Sequence, residues 1–177
     1  RYMGTTNARG EIRFDGVQAG ERHVEALVRE IPPPRGGNED APFPADKDLI
    51  GRVALLPQLV HTELDTAASV VIRPQPVGFV RGILRPPAGR SVAECDIGPA
   101  DYDPNGAGKH FGVQVDRTTG EFLAGPLPVG PSTIEASCWH VKDASSAASS
   151  SAIRPVEVRS DRVVQTEFVL PPLKPVD

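Results

Sequence analysis

The sequence predicts an all-β protein made of two tandem antiparallel sandwiches, the first lacking its N-terminal strands. Three observations lead there. The 177 residues include 19 Pro and 17 Gly beside one Trp, two Tyr and six Phe, and that density of turn formers leaves little room for long helices. Short segments rich in Val, Ile and Leu recur between turn signals, as strands of a sandwich do. A pattern that opens at Gly10 also returns at Gly120 with the same spacing.

The repeat is specific in its residues. Gly10-Glu11-Ile12 leads through Gly16-Val17 and Gly20 to His23-Val24-Glu25-Ala26, and Gly120-Glu121-Phe122 leads through Pro126-Leu127 and Gly130 to Thr133-Ile134-Glu135-Ala136. Ile12 then corresponds to Phe122, Val17 to Leu127 and Val24 to Ile134. Asn7-Ala8-Arg9-Gly10 and Arg117-Thr118-Thr119-Gly120 read as tight turns whose glycine supplies a positive φ.

Taken in order, the first copy predicts strands at 11–14, 22–30, 49–56 and 67–72. The second predicts strands at 77–84, 91–97, 111–115, 121–123, 132–141, 153–159 and 163–170, seven in all, which is a full sandwich. Pro74-Gln75-Pro76 and Pro171-Pro172 read as strand stops, because proline cannot donate to a ladder. The domains expected are a partial sandwich over 1–76, a complete one over 77–172, and a linker or tail over 173–177. A sandwich without its opening strands exposes edges and core, so residue 1 is expected to lie inside a domain whose missing strands come from upstream sequence or from a partner by augmentation.

Composition excludes several classes. No apolar run approaches the roughly 18 residues of a membrane helix, so no membrane insertion by this segment is expected. A net charge of −4 without a clustered basic face argues against nucleic acid. Arg1-Tyr2-Met3-Gly4 carries no secretory signal pattern. The two cysteines have no Cys-x-x-Cys or close His partner to make a zinc site, and are either a disulfide or two buried thiols. On regular strands Cys95 shares parity with Ile97, and Cys138 with Ile134 and Ala136, so both face the core.

The turn, Gly-Glu-Phe, Leu-Pro-Val-Gly-Pro and Ile-Glu-Ala of residues 117–136, with Gly82-Ile83-Leu84-Arg85 and Ala88–Ala93 before them, resemble the carboxypeptidase regulatory-like repeats. The resemblance covers 77–172 well and 4–74 in part. It implies a transthyretin-like, immunoglobulin-like Greek-key sandwich that is non-catalytic and found beside peptidases or in tandem outside the cytoplasm. It also implies that the second and fifth strands are neighbours, which would bring Cys95 and Cys138 together as a disulfide in an oxidising compartment. The related hydrolases of purine breakdown end in Tyr-Arg-Gly-Ser, whereas this chain ends in Leu173 to Asp177.

Candidate sites are few. Asp101, Asp103 and Asn105, with Gly106 at the sixth position, supply oxygens as the first half of a calcium loop does, although Gly112 stands where the closing Glu belongs. An acidic turn that caps its own backbone accounts for the same residues. Trp139 falls on the outward parity, and with Tyr102 it is the candidate contact for a glycan ring. The four histidines form no ligand pair, and the Ser/Ala tract 145–151 has no nucleophile elbow. Long loops are expected at 31–48 and 142–152, at corresponding places in the two copies.

The function expected is that of a non-enzymatic, extracytoplasmic scaffold, adhesion or assembly module, whose partners are other protein domains or neighbouring repeats. The alternatives are a carbohydrate-binding or calcium-dependent module and an accessory domain of a peptidase.

Overall fold

The computed structural model describes residues 4–24, 26, 42–56, 58–100, 112–143 and 146–175. Its regular structure is almost entirely strand: β1 Gly20–Val24, β2 Val53–Leu55, β3 Gln58–Thr62, β4 Pro74–Arg85, β5 Cys95–Pro99, β6 Gly112–Val115, β7 Glu121–Pro128, β8 Gly130–Asp143, β9 Ser146–Val158, β10 Val164–Val169 and β11 Lys174–Pro175. Two single 3-10 turns, Asp46–Asp48 and Val92–Glu94, interrupt them.

The second half forms a sandwich. One sheet runs β10-β4-β7-β6 and the other β11-β9-β8-β5, with β2 added to the start of β4. All pairs are antiparallel except β10 on β4, which is parallel and closes the sheet with the last strand beside the first. Phe122, Phe168, Leu84 and Val80 from one sheet meet Ile134, Ala136, Cys138 and Val158 from the other in a single buried core. The Phe122 and Phe168 rings sit 6.0 Å apart at 59°, a tilted pairing favourable for aromatic quadrupoles.

Alternation explains most of that arrangement. Along β4 the even positions Val80 and Leu84 point into the core, and Gly82 lies where Thr166 and the Phe122 ring leave no room for a side chain. Along β7 the inward series is Phe122, Ala124, then Leu127, a step of three. The register shift between Gly78 and Val80 accommodates it: Gly125 and Pro126 stand together against Phe79, and this bulge returns Leu127 to the inner face.

Several expectations need correction. Segments 11–14 and 67–72 are not strands, because no neighbouring strand among the described residues offers them a ladder. The strand expected at 91–97 begins as the 3-10 turn Val92–Glu94, held by a capping box in which Ser91 and Glu94 each accept the other's backbone N–H. The Ser/Ala stretch expected as a loop is the start of β9, and Ser150 is buried with its hydroxyl donating to the Pro171 carbonyl at 2.6 Å. Pro74 and Pro76 do not stop a strand. They begin β4, opposite Leu55 and Val53 of β2, so β4 runs straight through the junction expected at residue 76.

The first half is sparser. β1 pairs antiparallel with β3 from Gly20 opposite Thr62 to Val24 opposite Gln58, and the Thr62 hydroxyl donates to the carbonyls of Gln18 and Gly20. Its turn geometry matches that of the second half closely. Gly10 and Gly120 have φ of 78° and 79°, and Gly20 and Gly130 have φ of 120° and 122°. The side-chain oxygens of Asn7 and Asp116 each accept two backbone N–H groups within these turns.

Candidate interaction surface

The outer face of the β10-β4-β7-β6 sheet carries a second buried cluster, in which Val77, Phe79, Leu123 and Val163 are covered by Leu49 and Leu56, with Phe43 and Ala54 packed alongside. The odd positions of β4 are therefore as buried at one end as the even ones. What covers them is the segment 42–56, which crosses the sheet as a strap. Its backbone is tied down at its far end, where Gly51 donates to the Ser160 carbonyl at 2.8 Å and Val77 donates to the Arg52 carbonyl at 3.1 Å.

Arg81 fixes the near end. Its Nε donates to Asp46 Oδ1 at 3.0 Å, one terminal nitrogen to Glu121 Oε1 at 2.8 Å and the other to the Pro44 carbonyl at 2.6 Å. The guanidinium carbon also lies 5.5 Å from the centre of the Phe43 ring. The Arg81 side chain is 17% exposed, against 46% for Asp46 and 39% for Glu121, so the cation is withdrawn from water while its carboxylate partners remain half solvated. The planar fork suits this geometry and an ammonium would not.

Sequence reasoning missed this site. The signal was present, since Val77 and Phe79 alternate with Val80 in a way that makes both faces of β4 apolar, which marks a strand covered on both sides. Beyond the strap the same face opens into a shallow hollow lined by Arg81, Ile83, Thr119, Glu121 and Glu167.

Cys95 and Cys138 form a disulfide. They sit directly opposite each other on β5 and β8, with Cα atoms 4.0 Å apart, and both are fully buried. The thiol alternative is thereby set aside. Arg117 donates to the Cys95 carbonyl at 2.6 Å, which ties the turn before β7 to the bridged strand.

Trp139 lies on the outer face of the second sheet, 57% exposed and paired across to Ser149 on β9. Ser137 and Ser151 form the next outward pair and Ile153 faces outward beyond them, so serines lie between two exposed apolar side chains. At the same end Arg90 donates to His140 Nδ1 at 2.9 Å and to Glu94 Oε1 at 3.3 Å. Because Arg has no acceptor, His140 must present an unprotonated Nδ1 in this arrangement. Glu94 is held below its ordinary carboxyl value, first by the Ser91 backbone N–H and then by Arg90. These contacts cap the turn before β5.

Asp101, Tyr102, Asp103 and Asn105 lie outside the described residues, as do residues 31–41 of the first expected loop. Among the described residues no group of three or more His, Cys, Asp or Glu side chains is placed to hold a metal ion, and no helix is long and apolar enough to cross a membrane. Comparison with protein-family models, curated proteins and solved structures gives no match for this chain.

Proposed function

We propose that the chain is a non-catalytic scaffold and assembly unit of an extracytoplasmic protein, built from two sandwich repeats of the carboxypeptidase regulatory-like kind. The observation that carries this reading is the double-sided burial of the β4–β7 sheet, where one face closes the disulfide-tied core and the other is clamped by the strap through Arg81. A linker between independent domains would leave that outer face wet. Here the segment from the first half is bonded across strands of the second, which transmits load and orientation between them. The matched glycine dihedrals support a repeated turn-strand-Gly-strand unit. The buried disulfide fits an oxidising compartment, where such bridges persist.

Calorimetry tests the reading. One cooperative transition whose van't Hoff and calorimetric enthalpies agree is expected. Two separated transitions, one for each half, would refute a rigid assembly unit. Thiol titration of freshly isolated native material tests the compartment: free thiols should appear only after reduction, and two free thiols beforehand would argue against export.

A second reading is supported by Trp139, whose exposed ring beside outward-facing serines is the kind of surface on which a sugar ring stacks. A glycan array with the native chain and Trp139→Ala decides it. Binding that disappears in the variant would establish carbohydrate recognition on this face, and an empty array would remove it.

A further inference from the structure

We infer that residues 66–72 donate a β-strand to the free edge of β10 in a second copy of this chain, joining copies head to tail. The inference rests on the assembly-unit reading and names its partner. Thr66-Ala67-Ala68-Ser69-Val70-Val71-Ile72 carries no charge and no proline and ends in three β-branched residues, a composition that pairs readily as strand. It joins no ladder among the described residues, and its backbone groups make no hydrogen bond there. The Thr66 hydroxyl reaches only the Leu64 carbonyl, at 3.5 Å. Residues 66–71 are all exposed, Val71 to 66%, and Ile72 is half-buried. Such a segment gains by joining a sheet edge, which satisfies its main chain and covers its side chains together.

β10 supplies the edge. It is the outermost strand of its sheet, with β4 on one side. Leu170 donates to the Arg85 carbonyl at 3.0 Å, which places the even-numbered backbone groups of this strand on the β4 side. Those of Gln165, Glu167 and Val169 therefore point away from β4, and all three residues are exposed. This edge is six residues long and matches the donor in length. The other outer strands of the sandwich fit less well. On β5 the Cys95 N–H is used by the Val92 carbonyl and the Cys95 carbonyl by Arg117, while β6 has four residues and β11 two.

The donor cannot reach β10 of its own chain. Val164 stands beside Val80, whereas β4 begins six residues earlier at Pro74, about 20 Å further along the strand. Only Arg73 separates Ile72 from Pro74, so residues 66–72 folded back along the sheet would at best draw level with the start of β10 without overlapping it. The acceptor is therefore on another copy. With Val70 opposite Thr166, the series Ala68, Val70 and Ile72 continues the inner face of Val164, Thr166 and Phe168, and Ser69 joins Gln165 and Glu167 on the wet face. Donor and acceptor are different surfaces, so the contact is heterologous and leaves one of each free at the ends of a growing row.

Sedimentation equilibrium of the full chain from about 10 μM to about 1 mM should show oligomers that lengthen with concentration, and amide exchange should slow across 66–72 and at 165, 167 and 169. Val70→Pro disables the donor, and Glu167→Pro removes an edge N–H that β4 does not use. Each variant alone should associate at least about tenfold more weakly, and the two mixed should form 1:1 dimers that grow no further. Val71→Lys and Gln165→Pro repeat the donor and acceptor tests at second positions, and an unchanged unfolding midpoint shows that each variant is folded. A native chain that stays monomeric at about 1 mM overturns the proposal. Oligomers that survive both acceptor variants overturn it too, because two copies of 66–72 would then be paired with each other, as does a mixture that forms no dimers. A monomer with a single unfolding transition removes the strand donation alone, whereas two transitions remove the assembly-unit reading beneath it.

Discussion

Replacing Arg81 by alanine removes four contacts at once, and their sizes follow from exposure. The bond to the Pro44 carbonyl is a charge-assisted one in a sheltered position and contributes about 1.5 kcal/mol. The two carboxylate pairs are half solvated, which limits each to about 0.5 kcal/mol. The contact with Phe43 adds about 0.5 kcal/mol. Fixing the long side chain in one rotamer costs about 1 kcal/mol, which alanine recovers, so the net loss is about 2 kcal/mol. For a chain of this length that lowers Tm by roughly 4–8 °C.

Arg81→Lys keeps the charge but cannot span three acceptors, and should lose about half as much. Calorimetry gives the Tm, and amide exchange in residues 42–56 locates the effect, since the strap should open well before the core. The reasoning fails if Arg81→Ala shifts stability by less than about 0.5 kcal/mol, or if exchange across the strap is unchanged while the core loosens.

The remaining predictions concern the sandwich itself. Cys95→Ala with Cys138→Ala frees a loop of sequence separation 43 and should cost about 4 kcal/mol by the chain-entropy account, read as a fall in urea midpoint; a change under about 1 kcal/mol would contradict it. Gly82→Ala drives a Cβ into the Thr166 carbonyl and the Phe122 ring and should destabilise by about 3 kcal/mol, with native-like stability as the refuting result. Trp139→Ala should leave stability within about 0.5 kcal/mol of native, since the ring is mostly solvated.

Acid sensitivity has a definite sign. The Thr118 N–H, with Thr119 adding to it, holds Asp116 below its ordinary value of 3.8, and the Ser91 N–H holds Glu94 below 4.5. Their folded values lie below their unfolded ones, so their contribution is complete above about pH 4.5 and is lost as pH falls through the lowered values. The denaturation midpoint should fall with acid less steeply in Asp116→Asn than in the native chain, and equal slopes would count against the assignment.

How much of this was legible in the sequence divides along one physical line. Periodicity reports which face a side chain occupies, so β4, β7, β8 and β10 and the inward parity of Cys95 and Cys138 could be read directly. It does not report whether a partner strand is present. Segments 11–14 and 67–72 have strand composition but form no ladder among the described residues, while the Ser/Ala stretch of β9, which has no hydrophobic signal, is held as strand by β8 along its whole length. The capping box at Ser91 and Glu94 is legible as Ser-x-x-Glu, a helix-start signal placed directly before the segment that forms β5.

The strap was hidden for a different reason. Nothing in Phe43, Pro44 or Asp46 marks them as ligands of an arginine, because the partner lies in the other half of the chain and only the fold brings it near. The informative residue was Arg81 itself. An arginine inside a strand that is apolar on both faces needs carboxylates and carbonyls from outside its own sheet position, since burying a cation without partners costs several kcal/mol. A strand of that composition thus implies a covering segment that supplies acceptors.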